Sequence, residues 1–559
     1  MGQQKNFLGE AVKIQSKTHA RIILCIFWLC LSFPSFAEEI EKDRAVPDNN
    51  MINAEGLNQN RKDDTIPLPL KRALELALQN NLNLQIEKIN LPVSAQTIIV
   101  NKARFDPSLF GETYNRRYEY QTSFALTGAP LFKENEQAGE LGLRKLFSTG
   151  LEAESYYRAS RYRDNSDFEG LDPQYKNLLI LSLRQPLLQD FGPSVNTTDI
   201  KIAQNDLKIT ESSFLLQVVN TINQVEQTYH DLSGALEALN LRNESLRLAE
   251  KLFADNQKRF NAGLTHVGEV QEAETAIASR QELVIAASQR VKDVTNVLKN
   301  LLQIQPGSPL YPVNLHTEGL LFTEERIPSY DESFSQALNN RPDYSQKKIA
   351  LESKDIIVQY SRNQLLPRLD LVGTFGLNGL SGEAHPLTFE GVTSVNPYGG
   401  NFGDSWQSLR HADGYEWNVG LTIDFPLGKR ADHARYQQAK LFKEQAILDL
   451  KNLEDTIDLE IKVALENIKS SHDRIEVAER FVNLADKTLR QEEERMKAGL
   501  SDTFRILIFQ GSLIDAKIRK VLALVDYQKA LAQLYRAMGT NTKRYDMVVN
   551  YPDASKSVQ

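Results

Sequence analysis

The spacing of apolar positions changes several times along the chain, and each change predicts a different element. Residues 68–104 have helical periodicity, and Pro92 is expected to kink this helix or to divide it in two. After Pro107 the apolar positions alternate in the two-residue rhythm of a strand. None of these runs is apolar on both faces, which suits either a barrel wall between lipid and water or an ordinary half-buried sheet. The strand-like runs are Tyr114–Tyr120, Leu151–Tyr162, Leu178–Leu183, Leu369–Gly373 and Trp417–Ile423.

Two very long helices are predicted after the strands. There is no proline between Pro193 and Pro306 or between Pro426 and Pro552. Helical periodicity runs from about 194 to 262 and from about 430 to 498, which predicts rods of roughly 100 Å at 1.5 Å per residue. Alternating three- and four-residue steps indicate coiled-coil packing or the core of a helix bundle. These stripes contain Leu215, Val218, Ile222, Val225, Tyr229, Leu232, Leu236 and Leu239, and then Ala446, Leu450, Leu453, Ile457, Ile461, Ala464 and Ile468.

Each rod ends at an Ala-Gly-Leu turn. Gly263 and Gly499 suit the left-handed position that follows a helix, and Leu264 and Leu500 are expected to supply the apolar contact after it. The chain then returns as a shorter helix, so that each rod is one arm of a helical hairpin. The returning helices are predicted at 266–303 and 502–538, with Thr265 and Ser501 as their N-caps.

The order of elements occurs twice, which predicts an internal duplication. The first repeat spans 66–305, with strands at about 108–187, and the second spans 331–540, with strands at about 368–427. The residues that match are Ala77, Leu78, Asn80, Ile89, Leu91, Pro107 and Leu109 with Ala337, Leu338, Asn340, Ile349, Leu351, Pro367 and Leu369.

Residues 1–37 have the parts of a secretory signal peptide. Basic residues precede the apolar run Ile22–Phe33, and Ser35-Phe36-Ala37 is a small-x-small cleavage site. The alternatives are a signal anchor that stays in the membrane and lipidation at Cys30. Bulky residues before Cys30 disfavour lipidation, and the apolar run is short for a spanning helix. Residues 38–64 are polar and predict a disordered lead-in.

Composition excludes several classes of function. Both cysteines lie in the signal peptide, so the mature chain would have no thiol chemistry. The net charge of -8 comes from 65 basic and 73 acidic residues that are interspersed, which argues against binding of nucleic acid. No catalytic elbow, phosphate-binding loop or pair of histidines at metal spacing is present. We therefore expect no enzyme activity, cofactor or metal site.

From about 66 to 540 the chain resembles the TolC-like outer-membrane efflux protein family. The resemblance is carried by motifs that recur in the same order behind a signal peptide. These are Ala77-Leu-x-Asn80-Asn81, Pro107 and Pro367 at the helix-to-strand junctions, Gln185-Pro186-Leu187-Leu188 and Phe425-Pro426-Leu427 at the strand-to-helix junctions, and both Ala-Gly-Leu turns.

The resemblance implies a mixed α+β membrane protein that forms a homotrimer. Each chain would give four strands to one shared twelve-stranded barrel in the outer-membrane lipid, continued by a barrel of coiled-coil helices in the periplasm. Residues 306–330 and the tail 541–559 would form an equatorial belt. Such a protein is the exit duct of a tripartite efflux pump or type I secretion system, docked by its tips on a periplasmic adaptor and an inner-membrane transporter. The sequence does not decide whether the cargo is a drug, a metal ion, a siderophore or a polypeptide.

The alternative class is the periplasmic adaptor itself, which would normally have one helical hairpin flanked by small β-rich modules. This chain predicts two hairpins. A plain structural coiled coil would leave the Tyr-rich alternating stretches unexplained.

Two features depart from the resembled family. Where its best-known member has acidic residues at the entrance, this chain has Arg505 and Ile508, while Glu269 occupies the corresponding place in the first repeat. Our hypothesis is that Glu269 pairs with Arg505 across the closed entrance; the alternative is two solvated charges. The strand region is also longer in the first repeat (107–186) than in the second (367–426), which predicts an added hairpin or a larger extracellular loop.

Overall fold

The computed structural model describes residues 65–123, 130–308, 311, 314–319, 325–389 and 391–547. The predicted signal peptide and lead-in lie outside these residues, as does the tail after 547. The described chain divides into two compact units, which we call the sheet unit (98–202 and 355–441) and the helix unit (65–97, 203–354 and 442–547).

Strands and helices alternate in blocks along the chain. The strands are β1 Thr65–Leu68, β2 Ser108–Gln121, β3 Leu131–Leu146, β4 Glu152–Asp164, β5 Leu171–Pro186, β6 Asn314–Thr317, β7 Arg368–Ala384, β8 Leu387–Phe389, β9 Val392–Ser394 and β10 Gly414–Asp424. The helices are α1 Leu70–Asn80, α2 Leu82–Lys102, α3 Pro193–Asn196, α4 Thr198–Asn261, α5 Val267–Leu301, α6 Tyr330–Asn340, α7 Pro342–Asn363, α8 Phe402–His411, α9 Arg430–Lys497, α10 Thr503–Ala537 and α11 Asn541–Arg544.

The sheet unit is built on six long strands in the order β10-β7-β5-β4-β3-β2. All five pairings are antiparallel. The described residues thus form six long strands in one sheet, two more than the four that the resemblance implied. The additional strands are β3 and β4, and they form the added hairpin that the length of the first repeat predicted.

Strand β3 was missed because its sequence is rich in charge and alternates poorly. Its backbone nevertheless pairs with β2 along the whole of that strand, from Ser108 opposite Arg144 to Gln121 opposite Leu131. On its other side it pairs with β4 from Leu146 to Glu134. Hydrogen bonding on both sides makes β3 an interior strand, a property that apolar periodicity does not encode.

Helix α8 packs on one face of the sheet, against β5 and β7. The approach is close because Gly379, on β7, has no side chain: a Cβ there would lie 2.0 Å from the backbone oxygen of Ser405. Asn177, buried on β5, donates a hydrogen bond of 2.5 Å to Ser405 Oγ. Trp406 meets the ring of Tyr157 edge-on, with 5.2 Å between ring centroids. The short helix is thus fixed by both packing and hydrogen bonds.

In the helix unit, the core of the first half joins α1, α4 and α5. It contains Leu74 from α1, Ile222 and Leu232 from α4 and Leu298 from α5, all of them fully buried. The apolar stripe of the rod therefore faces its neighbours within the chain. Burial of each such side chain stabilises the fold by about 1.5–3 kcal/mol relative to exposure.

The second half packs α9 against α10 and α6. Ile468 and Tyr527 are buried in one cluster, and Ile457 and Ala337 in another. Strands β1 and β6 belong to the same unit and pair in parallel with each other. Among the described residues, no helix combines the length and the apolar content that crossing a membrane requires.

The first helical segment breaks at Asn81, and Pro92 lies inside the continuous helix α2. Of the two outcomes expected at Pro92, a kink or a division, division of the helix is therefore wrong. Asn81 has an extended backbone, with φ −62° and ψ 120°. Its side-chain oxygen accepts hydrogen bonds from the backbone N–H groups of Asn83 and Leu84, which satisfies donors that the first turn of α2 leaves free.

Candidate functional site

Near the strand ends that adjoin the helices in sequence, the two faces of the six-stranded sheet differ in polarity. Further along β2, β3 and β4, both faces carry charged residues, such as Arg117, Lys133 and Arg161 on the face of Leu109. Directly opposite residues lie on the same face, so the register defines rows that cross the sheet. Shifting by one residue along each strand moves from one face to the other. One row contains Leu109, Leu143, Ser155, Leu181, Phe375 and Trp417, and the next contains Ser108, Arg144, Glu154, Ser182, Thr374 and Asn418. We call the faces to which these rows belong the apolar face and the polar face.

Large side chains on the apolar face are open to solvent in the single chain. On β10, Val419, Leu421 and Ile423 are each about two-thirds exposed, as is Leu109 on β2. A contiguous exposed apolar surface of this kind marks contact with lipid or with another protein.

The polar face carries ion pairs between neighbouring strands. Arg144 Nε, on β3, donates to Glu154 Oε2, on β4, at 2.7 Å. Arg184, on β5, reaches two strands at once: its Nε donates to Asp370 Oδ2 at 2.8 Å and its Nη1 to Glu152 Oε2 at 3.0 Å. Charges of both signs lie on this face, which suits contact with water.

The edges of the sheet are formed by β2 and β10. Within the described part of the chain, neither strand has a partner on its outer side. Long open edges present rows of backbone N–H and C=O groups, and proteins cover them or pair them with another chain.

In the helix unit, the two Ala-Gly-Leu turns have the same hydrogen-bond geometry. Leu264 N donates to Arg259 O and Leu500 N donates to Arg495 O, both at 2.8 Å. The glycine before each leucine has a left-handed backbone, with φ +73° at Gly263 and +70° at Gly499. With the shorter-range bonds of the two glycine N–H groups, each turn is a Schellman motif.

The leucine after each glycine does not make the apolar contact that the motif predicted. Leu264 is 71% exposed and Leu500 is 68% exposed. Further apolar side chains around the two turns are exposed as well. Of these, the sequence pointed only to Ile508, because a helical pattern does not say which apolar positions are covered by a neighbour. They are Phe260 and Val267 at the first turn and Phe504 and Ile508 at the second.

A polar network joins the two hairpins just behind the turns. Asn256 is fully buried on α4, and its Nδ2 donates to Thr503 Oγ1 on α10 at 2.8 Å and to the backbone oxygen of Glu269 on α5 at 3.1 Å. Thr503 Oγ1 donates in turn to Glu269 Oε2 at 2.9 Å. Three helices are therefore tied together at this level.

Arg505 has a different partner within the chain. Its Nη1 lies 3.7 Å from Oε1 of Glu492, a carboxylate that also accepts a 2.5 Å hydrogen bond from Ser501 Oγ. The N-cap of α10 is Asp502, whose side chain accepts from Arg505 N at 2.9 Å. The N-cap position of α5 is His266, without a side-chain hydrogen bond. The expectation that Ser501 and Thr265 cap these helices is therefore wrong.

At the other end of the helical hairpins, a buried charge cluster joins the described tail to the rod α4. Arg544 Nη1 donates to Glu226 Oε1 at 2.8 Å, and Tyr545 OH donates to the same oxygen at 2.5 Å. Burial raises the pKa of Glu226, although Arg544 opposes that shift. Burial, with help from Arg544 and Lys529, lowers the pKa of His230 to about 4.

Among the described residues, no group of three or more His, Cys, Asp or Glu side chains is arranged to hold a metal ion. The residues that stand out for function are therefore those of the turns, the edges and the two faces of the sheet.

Comparison with known proteins gives one family and a consistent set of relatives. The family model described as "Outer membrane efflux protein" matches residues 155–302 and 334–540. The outer membrane protein OprJ of Pseudomonas aeruginosa is 22% identical over 361 residues, which cover 64% of this chain and 69% of OprJ. The cation efflux system protein CusC of Escherichia coli K12 is 21% identical over 355 residues, covering 63% of this chain and 70% of CusC. A crystal structure of a membrane protein from Pseudomonas aeruginosa aligns with a TM-score of 0.60 at 17% identity, covering 87% of this chain and 92% of that one.

Proposed function

Since this chain belongs to the outer membrane efflux protein family, we propose that it is the outer-membrane exit duct of a tripartite efflux pump or type I secretion system. The observation that carries this proposal is the family match, which covers both helical hairpins, strands β5, β7 and β10, and β4 from residue 155 onward. Members of this family are efflux channels and not enzymes, so we assign no catalytic residue.

The sheet unit is proposed to lie in the outer membrane. Its apolar face, outside the part that α8 covers, would meet lipid and its polar face would meet water, which is the arrangement of a membrane barrel wall. The open edges of β2 and β10 support closure with further copies, because joining edge to edge removes both. In line with the resemblance, we propose three copies, with the helix unit in the periplasm and each chain built from two repeats.

The two turns are the proposed docking sites for a periplasmic adaptor that is itself bound to an inner-membrane transporter. Leu264 and Leu500 support this because they project from the two turns and remain exposed. Exposed apolar side chains that lose water on contact are typical of the core of a protein–protein interface. Pairing of Glu269 with Arg505 of a neighbouring copy across the closed entrance stays a prediction.

The alternative, that the chain is an adaptor, has less support. The described residues contain two helical hairpins, α4 with α5 and α9 with α10, and each hairpin is covered by the family match. An adaptor would have one. The six-stranded sheet with one apolar and one polar face also has no role in a periplasmic adaptor.

The decisive experiment is planar-bilayer conductance of the purified protein, with the mass of the particle measured in parallel. Discrete pores from a trimer that also shows heat-modifiable gel mobility are the expected result. A non-conducting trimer with barrel-like heat stability would be an entrance held shut, to be opened by the variants described below. A water-soluble monomer without heat-modifiable mobility would overturn the proposal.

A further inference from the structure

The hairpin of β3 and β4 is an integral part of the sheet. Strand β2 does not touch β5 in the sheet order, because β3 and β4 lie between them. Strand β4 pairs with β5 over its length, from Glu152 opposite Arg184 to Tyr162 opposite Gln174. A loop that merely covered the sheet would leave β2 and β5 paired with each other.

The hairpin also follows the in-and-out alternation of the other four strands. Leu143 and Ser155 continue the row that runs from Leu109 to Leu181 and on to Trp417. Residues one position away, Arg144 and Glu154, lie on the polar face and pair with each other at 2.7 Å. Such continuity across six strands is what one wall with lipid on one side and water on the other requires.

Further along the hairpin, the polar face is stabilised by contacts that reach across strands. Arg158, on β4, donates to the hydroxyl of Tyr114 on β2, and it donates to Glu136 Oε1 on β3 at 3.2 Å. Tyr162 OH donates to Glu134 Oε2 at 3.1 Å. The Arg158–Tyr114 contact binds the hairpin to β2 on the side that would face water, and the other two contacts join β3 to β4.

We propose that each chain contributes six strands to the shared barrel, so that three copies form a wall of eighteen strands and not twelve. The inference rests on the proposed function, since only an assembled barrel has an aperture. At a strand spacing of about 4.8 Å and a tilt of about 40°, twelve strands give a backbone diameter of about 24 Å and eighteen give about 36 Å. The outer-membrane exit of this duct is accordingly wider, and its added wall is lined by the charges of β3 and β4.

Two double-cysteine variants, with all substitutions in the same row, distinguish a barrel wall that contains the β3–β4 hairpin from a wall that excludes it. Ser155 and Leu181 are directly opposite, so S155C/L181C should form a disulfide. Leu109 is three strand spacings from Leu181, about 14 Å, so L109C/L181C should not. If the hairpin lies outside the wall, β2 pairs with β5. In that case L109C/L181C should form a disulfide and S155C/L181C should not. The predicted mature chain has no cysteine of its own, so mass spectrometry of oxidised protein reports only the introduced pairs.

Electron microscopy of the unmodified protein, viewed down the barrel, gives an independent measurement. A ring of about 36 Å supports eighteen strands, and a ring of about 24 Å from three copies sinks the inference. A trimeric pore with the narrow ring and the L109C/L181C disulfide would overturn the wide exit but leave the proposed function intact. Failure to form any ring or pore would overturn both.

Discussion

Asn256, buried on α4, donates a hydrogen bond of 2.8 Å to Thr503 Oγ1 at the start of α10, and so connects the two hairpins directly behind their turns. The same amide group donates a hydrogen bond to the backbone oxygen of Glu269 on α5. One side chain therefore joins three helices just behind the turns.

We expect Asn256→Ala to loosen this end of the helix unit. The substitution leaves Thr503 and the Glu269 carbonyl without their donor, which costs about 1–3 kcal/mol. The midpoint of thermal loss of helical circular dichroism should fall, and single-channel conductance should rise. Asn261→Ala, at an exposed position on the same helix, is the matched control. Equal behaviour of the two variants would remove Asn256 from this role.

Glycine-to-alanine substitutions at two positions of the second hairpin should change the free energy of unfolding in opposite directions. Gly499 has φ +70°, so Gly499→Ala forces a left-handed alanine and should destabilise the fold by about 1 kcal/mol. Gly511 lies inside α10 with open space around it, so Gly511→Ala should stabilise by about 0.5–1 kcal/mol. Chemical denaturation followed by circular dichroism measures both, and shifts of the same sign would contradict the argument.

In the sheet unit, Gly379→Ala should detach or displace α8. The new methyl group would meet the Ser405 oxygen at 2.0 Å and Leu409 N at 2.7 Å, and relieving that overlap costs about 1–3 kcal/mol. The temperature at which heat-modified gel mobility is lost should fall. Gly139, on the same face of β3, has nothing within 4 Å of an added Cβ, so Gly139→Ala serves as the control and should leave that temperature almost unchanged.

The exposed leucines of the turns should matter for docking and not for folding. Leu264→Asp and Leu500→Asp place a charge in a contact that has to lose water, so we expect at least about a tenfold loss of adaptor binding or of efflux in cells. Leu264→Met, which keeps an apolar side chain, is the control. Unchanged efflux in the double aspartate variant, with normal amounts of protein in the membrane, would place docking elsewhere.

Stability of the helix unit should depend on pH through His230. Burial lowers its pKa to about 4 in the fold, whereas an unfolded histidine titrates near 6.5. Between these values the unfolded chain binds a proton that the folded chain does not, so the free energy of unfolding falls as pH drops from about 6.5 to 4. The slope is at most about 1.4 kcal/mol per pH unit for one proton.

Denaturation of the wild type and of His230→Gln across this pH range tests that dependence. The variant should have the flatter profile. His472→Gln, which removes a histidine whose side chain is 43% exposed, is the control. A wild-type slope that persists in His230→Gln would assign the dependence to groups other than His230. Glu226 would not account for it, because a carboxyl pKa that burial raises makes the free energy of unfolding fall as pH rises.

The sequence by itself determined the elements whose signal is local. The rods α4 and α9 follow from long proline-free stretches with helical periodicity, and the turns follow from Gly263 and Gly499, since glycine tolerates a left-handed backbone. Strand β10 lies where Trp417–Ile423 alternates. The family, too, was recognisable from short motifs in order.

Tertiary structure alone decided the features that depend on distant partners. Strand β3 is a strand because β2 and β4 hydrogen-bond to it from both sides, although its own residues alternate poorly. Helix α2 starts after Asn81 because that side chain caps it, while Pro92 is accommodated inside the helix. Leu264 and Leu500 are exposed in the fold, although the sequence predicted an apolar contact for each. Periodicity reports which positions of an element are apolar, whereas register and burial depend on contacts between residues far apart in the chain.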